Sequence, residues 1–223
     1  MAMRRLSVGA AGVLLSVGAM AIPAQADPVS GKDGWSSAPV SFKVQWPYNV
    51  PESSRYSYSG GVYHLWVYNT DAPFEKGNTT RPRTEQRFEP DYTSGQLQYA
   101  ADIMVPSGTS NVCVMQVHTG DAQSPQYGST TFMLFYYSSD GGSVHDYSGT
   151  ELAKNLNNTY FHLNVNHDLD NHTITVWVNS KQVWTQKDNG ATDFYMKDGV
   201  YMQSGGSSEM QDYIKNIKFW THD

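Results

Sequence analysis

The chain has little cysteine, little charge and almost no helical pattern, and each shortage narrows what it is. A single cysteine, Cys113, among 223 residues excludes an intramolecular disulfide, so the fold must hold by packing. Charged residues make up 16% of the chain and acids outnumber bases, for a formal charge of −6. That balance is poor for a nucleic-acid binder, whose affinity rests on neutralising phosphates. The apolar spacing of an amphipathic helix is missing apart from a short candidate turn at residues 151–156. No internal repeat is found.

The one long apolar run, residues 6–22, follows Arg4-Arg5 and precedes Pro23-Ala24-Gln25-Ala26. A basic start, an apolar centre and a small-x-small end predict a secretory signal peptide over residues 1–26 rather than a membrane anchor. Two adjacent arginines are weak support for twin-arginine export. Removing that segment leaves 13 basic against 21 acidic residues, a charge of −8. About 197 residues remain, enough for one domain, 27–223, with a sizeable core. A soluble, extracellular monomer is expected, with no membrane or nucleic-acid partner.

Residues 27–41 read as an irregular leader. Short alternating runs follow at residues 42–46, 62–68, 96–105, 111–118, 132–137, 144–147, 160–165, 173–178, 182–185 and 213–220, while residues 53–61 and 69–82 read as loops. Ser139-Asp140-Gly141-Gly142 is a hairpin signal. A dozen or so strands with turn residues between them predict an all-β sandwich or jelly roll. His162, His167, Asp168, Asp170 and His172 look like a metal cluster, but Asp168 to Asn171 is better explained as a turn, since Asp and Asn bond their own backbone. No cofactor is expected, and structural Ca²⁺ is the one metal worth testing there. Asn78, Asn157 and Asn171 begin glycosylation patterns that matter only in a eukaryotic secretory host.

Three strands carry unusual outward faces. In Tyr195-Met196-Lys197-Asp198-Gly199-Val200-Tyr201-Met202-Gln203, alternation sends Tyr195, Lys197, Tyr201 and Gln203 one way and Met196, Val200 and Met202 the other. In Arg83-Thr84-Glu85-Gln86-Arg87 it puts a carboxylate between two guanidiniums on one face. In residues 112–118 it predicts Cys113, Met115 and Val117 on an apolar face and Gln116 and His118 on the other. Arg81, Arg83, Arg87 and Lys197 would make a positive groove on an acidic body. Cys113 reads as a buried thiol rather than a nucleophile.

These three segments, in this order, resemble the R-[ST]-E-[LV]-R, Q-[IV]-H and Y-x-K-x-G-x-Y-x-Q motifs of the polysaccharide lyase family 7 alginate lyases. The glucuronan lyases of family 20 are similar in fold and general site layout. The resemblance runs from about Phe42 to the end; the main departure is Gln86, where the family has Leu or Val, on the face away from the arginines. It implies a concanavalin-like jelly roll with a concave groove for an anionic polysaccharide. It also implies Arg83, Gln116, His118 and Tyr201 as catalytic residues, with Glu85, Arg87, Tyr195, Lys197 and Gln203 binding substrate. Val117, between Gln116 and His118, leans toward mannuronate.

The implied chemistry is β-elimination of a 1,4-linked uronic acid polymer. The proton at C5 is acidified only if the neighbouring carboxylate is neutralised, because the anion that develops would carry a second negative charge. Arg83, Gln116 and His118 are the right types to hold that carboxylate. A phenol ordinarily titrates near pH ~10, so Tyr201 needs neighbouring cations to act as a base. On syn elimination Tyr201 would serve both H5 and O4; on anti elimination His118 would be the base and Tyr201 the acid. Two other classes compete. A glycoside hydrolase needs two carboxyls across the bond, and no strand carries a Glu-x-Asp-x-Glu pattern. A lectin or carbohydrate-binding module would use exposed aromatics such as Trp46, Trp66 or Trp177, but has no need of His118 and Tyr201 together.

Overall fold

The computed structural model describes residues 27–222 apart from residues 30, 40 and 121–127, so the expected signal peptide at 1–26 lies outside the described residues. Among the described residues fifteen strands are formed: β1 Ser36–Ser37, β2 Ser41–Gln45, β3 Tyr56–Ser59, β4 Val62–Tyr68, β5 Arg83–Glu89, β6 Gln96–Met104, β7 Val112–Thr119, β8 Thr130–Tyr137, β9 Ser143–His145, β10 Glu151–Lys154, β11 Phe161–Asp168, β12 Thr173–Val178, β13 Lys181–Lys187, β14 Phe194–Met202 and β15 Glu209–His222. They make two sheets. One has the order β13-β12-β11-β6-β15-β4-β3, with β1 pairing to β15; the other runs β10-β9-β8-β7-β14-β5-β2. The pairings between these strands are antiparallel, as short alternating strands joined by tight turns require. Among the described residues no helix is long and apolar enough to cross a membrane.

The core lies between the sheets. Leu65, Val67, Tyr99, Ile103, Leu163, Val165 and Ile214 from the first sheet meet Val114, Met115, Val117, Phe132, Leu134, Met196 and Val200 from the second. Burying these faces is the main stabilising term for a chain without a disulfide.

Several expectations need correction. Residues 151–156 are not a helical turn: Glu151–Lys154 is a strand paired to β9, because Leu152 and Ala153 pack against the core from a sheet edge. Residues 53–61 are not all loop, since Tyr56–Ser59 pairs with β4 and packs the Tyr58 ring, tilted, against Tyr63. The leader is not wholly irregular either. It contributes β1, seats Val29 and Trp35 against Ala100 and Trp220, and puts the Asp27 carboxylate 2.7 Å from His162.

The suspected metal cluster comes apart. His162 bridges Asp27 and Asp102, His167 lies between the Tyr92 hydroxyl and Asp188, and Asp168 caps its own turn by accepting from Asn171 N. No group of three or more His, Cys, Asp or Glu among the described residues is placed to hold a metal ion. Asn157 has both ends of its amide engaged, on Tyr136 and Ser138.

Polar groups also enter the core. Asp198 and Gln86 face each other across β14 and β5, both fully buried, and Asp212 is buried on β15 opposite Leu65. The Tyr99 hydroxyl donates to Asp198 Oδ2 at 2.8 Å, whereas among the described residues the Asp212 carboxyl finds no hydrogen-bond partner and the Gln86 amide only a loose approach from Tyr56. Burial pushes Asp198 up to about 8, so it is a neutral acid at neutral pH, and burial likewise holds Asp212 well above the usual carboxylate range.

Candidate active site

The outer face of the second sheet is ordered by strand register into ranks that run across the strands. One rank carries Lys43, Arg87, Lys197, Gln116 and Met133, on β2, β5, β14, β7 and β8. On one side of it lies the rank of Glu89, Tyr195, His118 and Thr130; on the other lie Gln45 and Glu85, then Arg83, Tyr201, Cys113 and Phe135. Residues 118 positions apart in sequence are thereby brought within one patch, because β14 inserts between β5 and β7.

Glu85 is the centre. It is 2% exposed, and three groups converge on it: Arg83 Nη1 at 3.2 Å, Lys197 Nζ at 3.5 Å and the Gln116 amide nitrogen. Burial alone would raise this carboxyl, but Lys197 and Arg83 hold it below the usual carboxylate range. Burial lowers Lys197, with Glu85 opposing, and Lys197 also donates to Gln45 Oε1 at 2.9 Å. Above this floor the guanidinium of Arg83 lies 3.8 Å from the centre of the Tyr201 ring, and that of Arg87 lies 3.9 Å from the Tyr195 ring. Arg87 donates through Nη2 to both carboxylate oxygens of Asp91, not to Glu85, so the Glu85 carboxylate is not held between two guanidiniums as alternation suggested.

His118 stacks on Tyr195, with centroids 5.0 Å apart, and its Nδ1 is 3.0 Å from the Thr119 carbonyl oxygen. A carbonyl only accepts, so Nδ1 carries the proton. Burial and the nearby Lys197 charge lower the imidazole to about 4. At neutral pH it is therefore uncharged, with Nε2 unprotonated.

All nine residues singled out from the sequence except Gln203 lie on this face within the ranks; Gln203 lies one residue past β14 and donates to the Tyr201 carbonyl. Arg81 is exposed, beyond the end of β5. Cys113 is on the opposite face from the one alternation assigned. A register shift between Cys113 and Met115 lets Val114 and Met115 both face the core, and turns Cys113 outward beneath Tyr201, Met133 and Phe135. It stays buried, and burial pushes its thiol up, so it is inert. Sequence reading missed Lys43, Gln45 and Phe74. The signal for the first two was available, since Lys43 and Gln45 alternate with Phe42 and Val44 on a strand that was already identified.

A two-sheet antiparallel sandwich bearing cations, an imidazole and phenols across one sheet face has the build of a polysaccharide-handling jelly roll. A sequence profile described as alginate lyase matches residues 40–220, and the chain belongs to that family. A citrate-binding protein of Hevea brasiliensis is 38% identical over 203 residues, which cover 89% of this chain and 81% of that protein. Among solved structures, an alginate lyase from Pseudomonas aeruginosa superposes with a TM-score of 0.65 at 17% identity, covering 82% of this chain and 98% of that one. The alginate lyase AlgAT5 of polysaccharide lyase family 7 gives 0.62 at 18% identity, covering 82% and 94%. At these identities the structural likeness concerns the fold.

Proposed function

We propose that the protein is an exported polysaccharide lyase that cleaves a 1,4-linked uronate polymer by β-elimination, mannuronate-rich alginate ahead of glucuronan. The observation that carries this reading is the gathering of Arg83, Gln116, His118 and Tyr201 around one buried carboxylate on a single sheet face. Arg83 commits one N–H of five to Glu85, and Gln116 one amide hydrogen of two, so each has further donors, and we assign those that reach the groove to the substrate carboxylate. Neutralising that group acidifies H5. Glu85 is not the base: it is ionised, buried and fully committed to orienting its neighbours.

His118, neutral with Nε2 unprotonated, is better suited to accept a proton than to neutralise a carboxylate. Tyr201 protonates the departing O4 on either route. In mannuronate and glucuronate units H5 and O4 lie on the same side of the ring, and Tyr201 serves both. In guluronate units they lie on opposite sides, and His118 removes H5. Mass spectrometry of the products tests the reaction: elimination gives one fragment lighter than the hydrolytic product by one water, and His118→Ala should cost more on guluronate blocks than on mannuronate blocks. Hydrolytic masses would contradict the reading.

A second reading is favoured by the 38% identical citrate-binding relative: a site whose cations hold polycarboxylates without turnover. Calorimetric binding of citrate, with every uronate polymer left intact, would favour it.

A further inference from the structure

The sheet carrying the site has two dissimilar ends. Toward β8 and β9 the outward side chains include Met133, Phe135 and Tyr137, with His145 against Tyr137 and with Tyr147, which is 71% exposed; charge enters at the edge strand β10 as the exposed Glu151–Lys154 pair. Toward β2 a cavity of about 390 Å³ opens, walled by Trp46, Tyr48 and Phe74, with Lys43, Gln45 and Arg87 on its strand side. It adjoins the candidate site through two contacts. Gln45 accepts from Lys197, and Phe74 lies under the Arg83 guanidinium at 5.1 Å from the ring centre.

The wall is rigid where it matters, because the Trp46 indole N–H is fixed on the Val50 carbonyl at 2.9 Å. The charge is available where it matters too. Lys43 is 73% exposed and its partner Glu89 is also on the surface, so that pair gives way readily to a ligand carboxylate. Register sets Lys43, Arg87 and Lys197 side by side on three neighbouring strands. Lys43 and Arg87 line the aromatic cavity and can meet a polyanion directly, while Lys197, buried against Glu85, lies beneath the face.

We propose that this cavity is a binding position for one uronate pyranose ring of the polymer, distinct from the ring that reacts. The sugar's C–H face rests on the aromatic wall, its carboxylate turns to Lys43 and Arg87, and it fixes which way the chain runs through the groove. Pockets of this size, mostly apolar with a few convergent polar groups, are the ordinary form of such sites. The proposal rests on the uronate reading above and adds a length requirement to it.

The test uses mannuronate oligomers of increasing length with the wild type and with the variant Lys43→Ala/Tyr48→Ala, whose side chains are both exposed and safe to truncate. KM should rise on the order of tenfold for oligomers long enough to span from the cleaved bond to the cavity, and stay level for the shortest oligomer cleaved. A KM unchanged at every length, or raised equally at all lengths, overturns the proposal and leaves the lyase reading standing. If the wild type cleaves no oligomer, the lyase reading fails by itself. The cavity is then judged by calorimetry of the longest oligomer: binding weakened in the variant supports it, and binding equal in both, or absent from both, overturns it.

Discussion

His118 and Glu85 show how much a single side chain's role depends on what lies beside it. An isolated histidine titrates near pH ~6.5, but burial and Lys197 lower this one to about 4. A proton NMR titration of the free protein should place the His118 midpoint near that value, and a midpoint above neutrality would remove it as a proton acceptor. Glu85 is the reverse case, a buried anion kept charged by Arg83 and Lys197. Removing one partner of a buried ionic cluster strands the others, so Glu85→Ala should cost about 3–5 kcal/mol of stability in chemical denaturation. A loss of activity with stability intact would instead make Glu85 a direct participant. Alternation alone places both residues on the right face; it says nothing of Glu85 pairing with Lys197 and Gln116 rather than Arg87, because those partners come from two other strands.

At the scale of the strand, β14 is the piece on which the rest depends, and Gly199 is what lets it fit. Its φ of +111° lies in the region that side chains disfavour, and a Cβ there would come 2.5 Å from the Thr84 carbonyl oxygen and 2.8 Å from Leu65. The register against β7 shifts between Asp198 and Tyr201, which keeps Val200 in the core and Tyr201 on the outer face. Gly199→Ala should therefore destabilise the fold by about 1–3 kcal/mol or more and cut activity beyond what the stability loss explains. An unaffected denaturation midpoint would contradict the strained geometry. The motif spacing made this strand legible. The shift in β7 was not, since a bulge adds one residue without marking the sequence, and it reversed the face of Cys113. Glu151–Lys154 misled for a related reason: an edge strand of four residues is too short to show a period.

Across the whole molecule, the sandwich was readable from turn residues and alternation, but its buried acids were not. Nothing in the sequence distinguishes Asp198 or Asp212 from surface aspartates until β14 and β15 turn them inward. Asp198 titrates at about 8 in the folded chain, above the carboxylate range of the unfolded one, so the folded state holds a proton that the unfolded state has released. The stability this brings is complete in acid and is lost as pH rises toward 8, at about 1.4 kcal/mol per pH unit for one proton. His162 adds a loss of the same sign at higher pH. Burial opposes its charge, but hydrogen bonds to Asp102 and Asp27 raise it to about 9, and its contribution fades between the ordinary imidazole value and there. The melting temperature should fall from mildly acid pH toward 9, and Asp198→Asn should flatten the lower part of that fall. An equal slope in the variant would show that Asp198 ionises without cost.

The most direct test of the central claim is ultraviolet absorbance during incubation of the purified protein with polymannuronate, polyguluronate and glucuronan, with Tyr201→Phe run in parallel. The account predicts a rise from the new C4–C5 double bond, fastest on polymannuronate, and a loss of at least ~100-fold in the variant at unchanged melting temperature. No rise on any of the three polymers, or an equal rise in Tyr201→Phe, would contradict it.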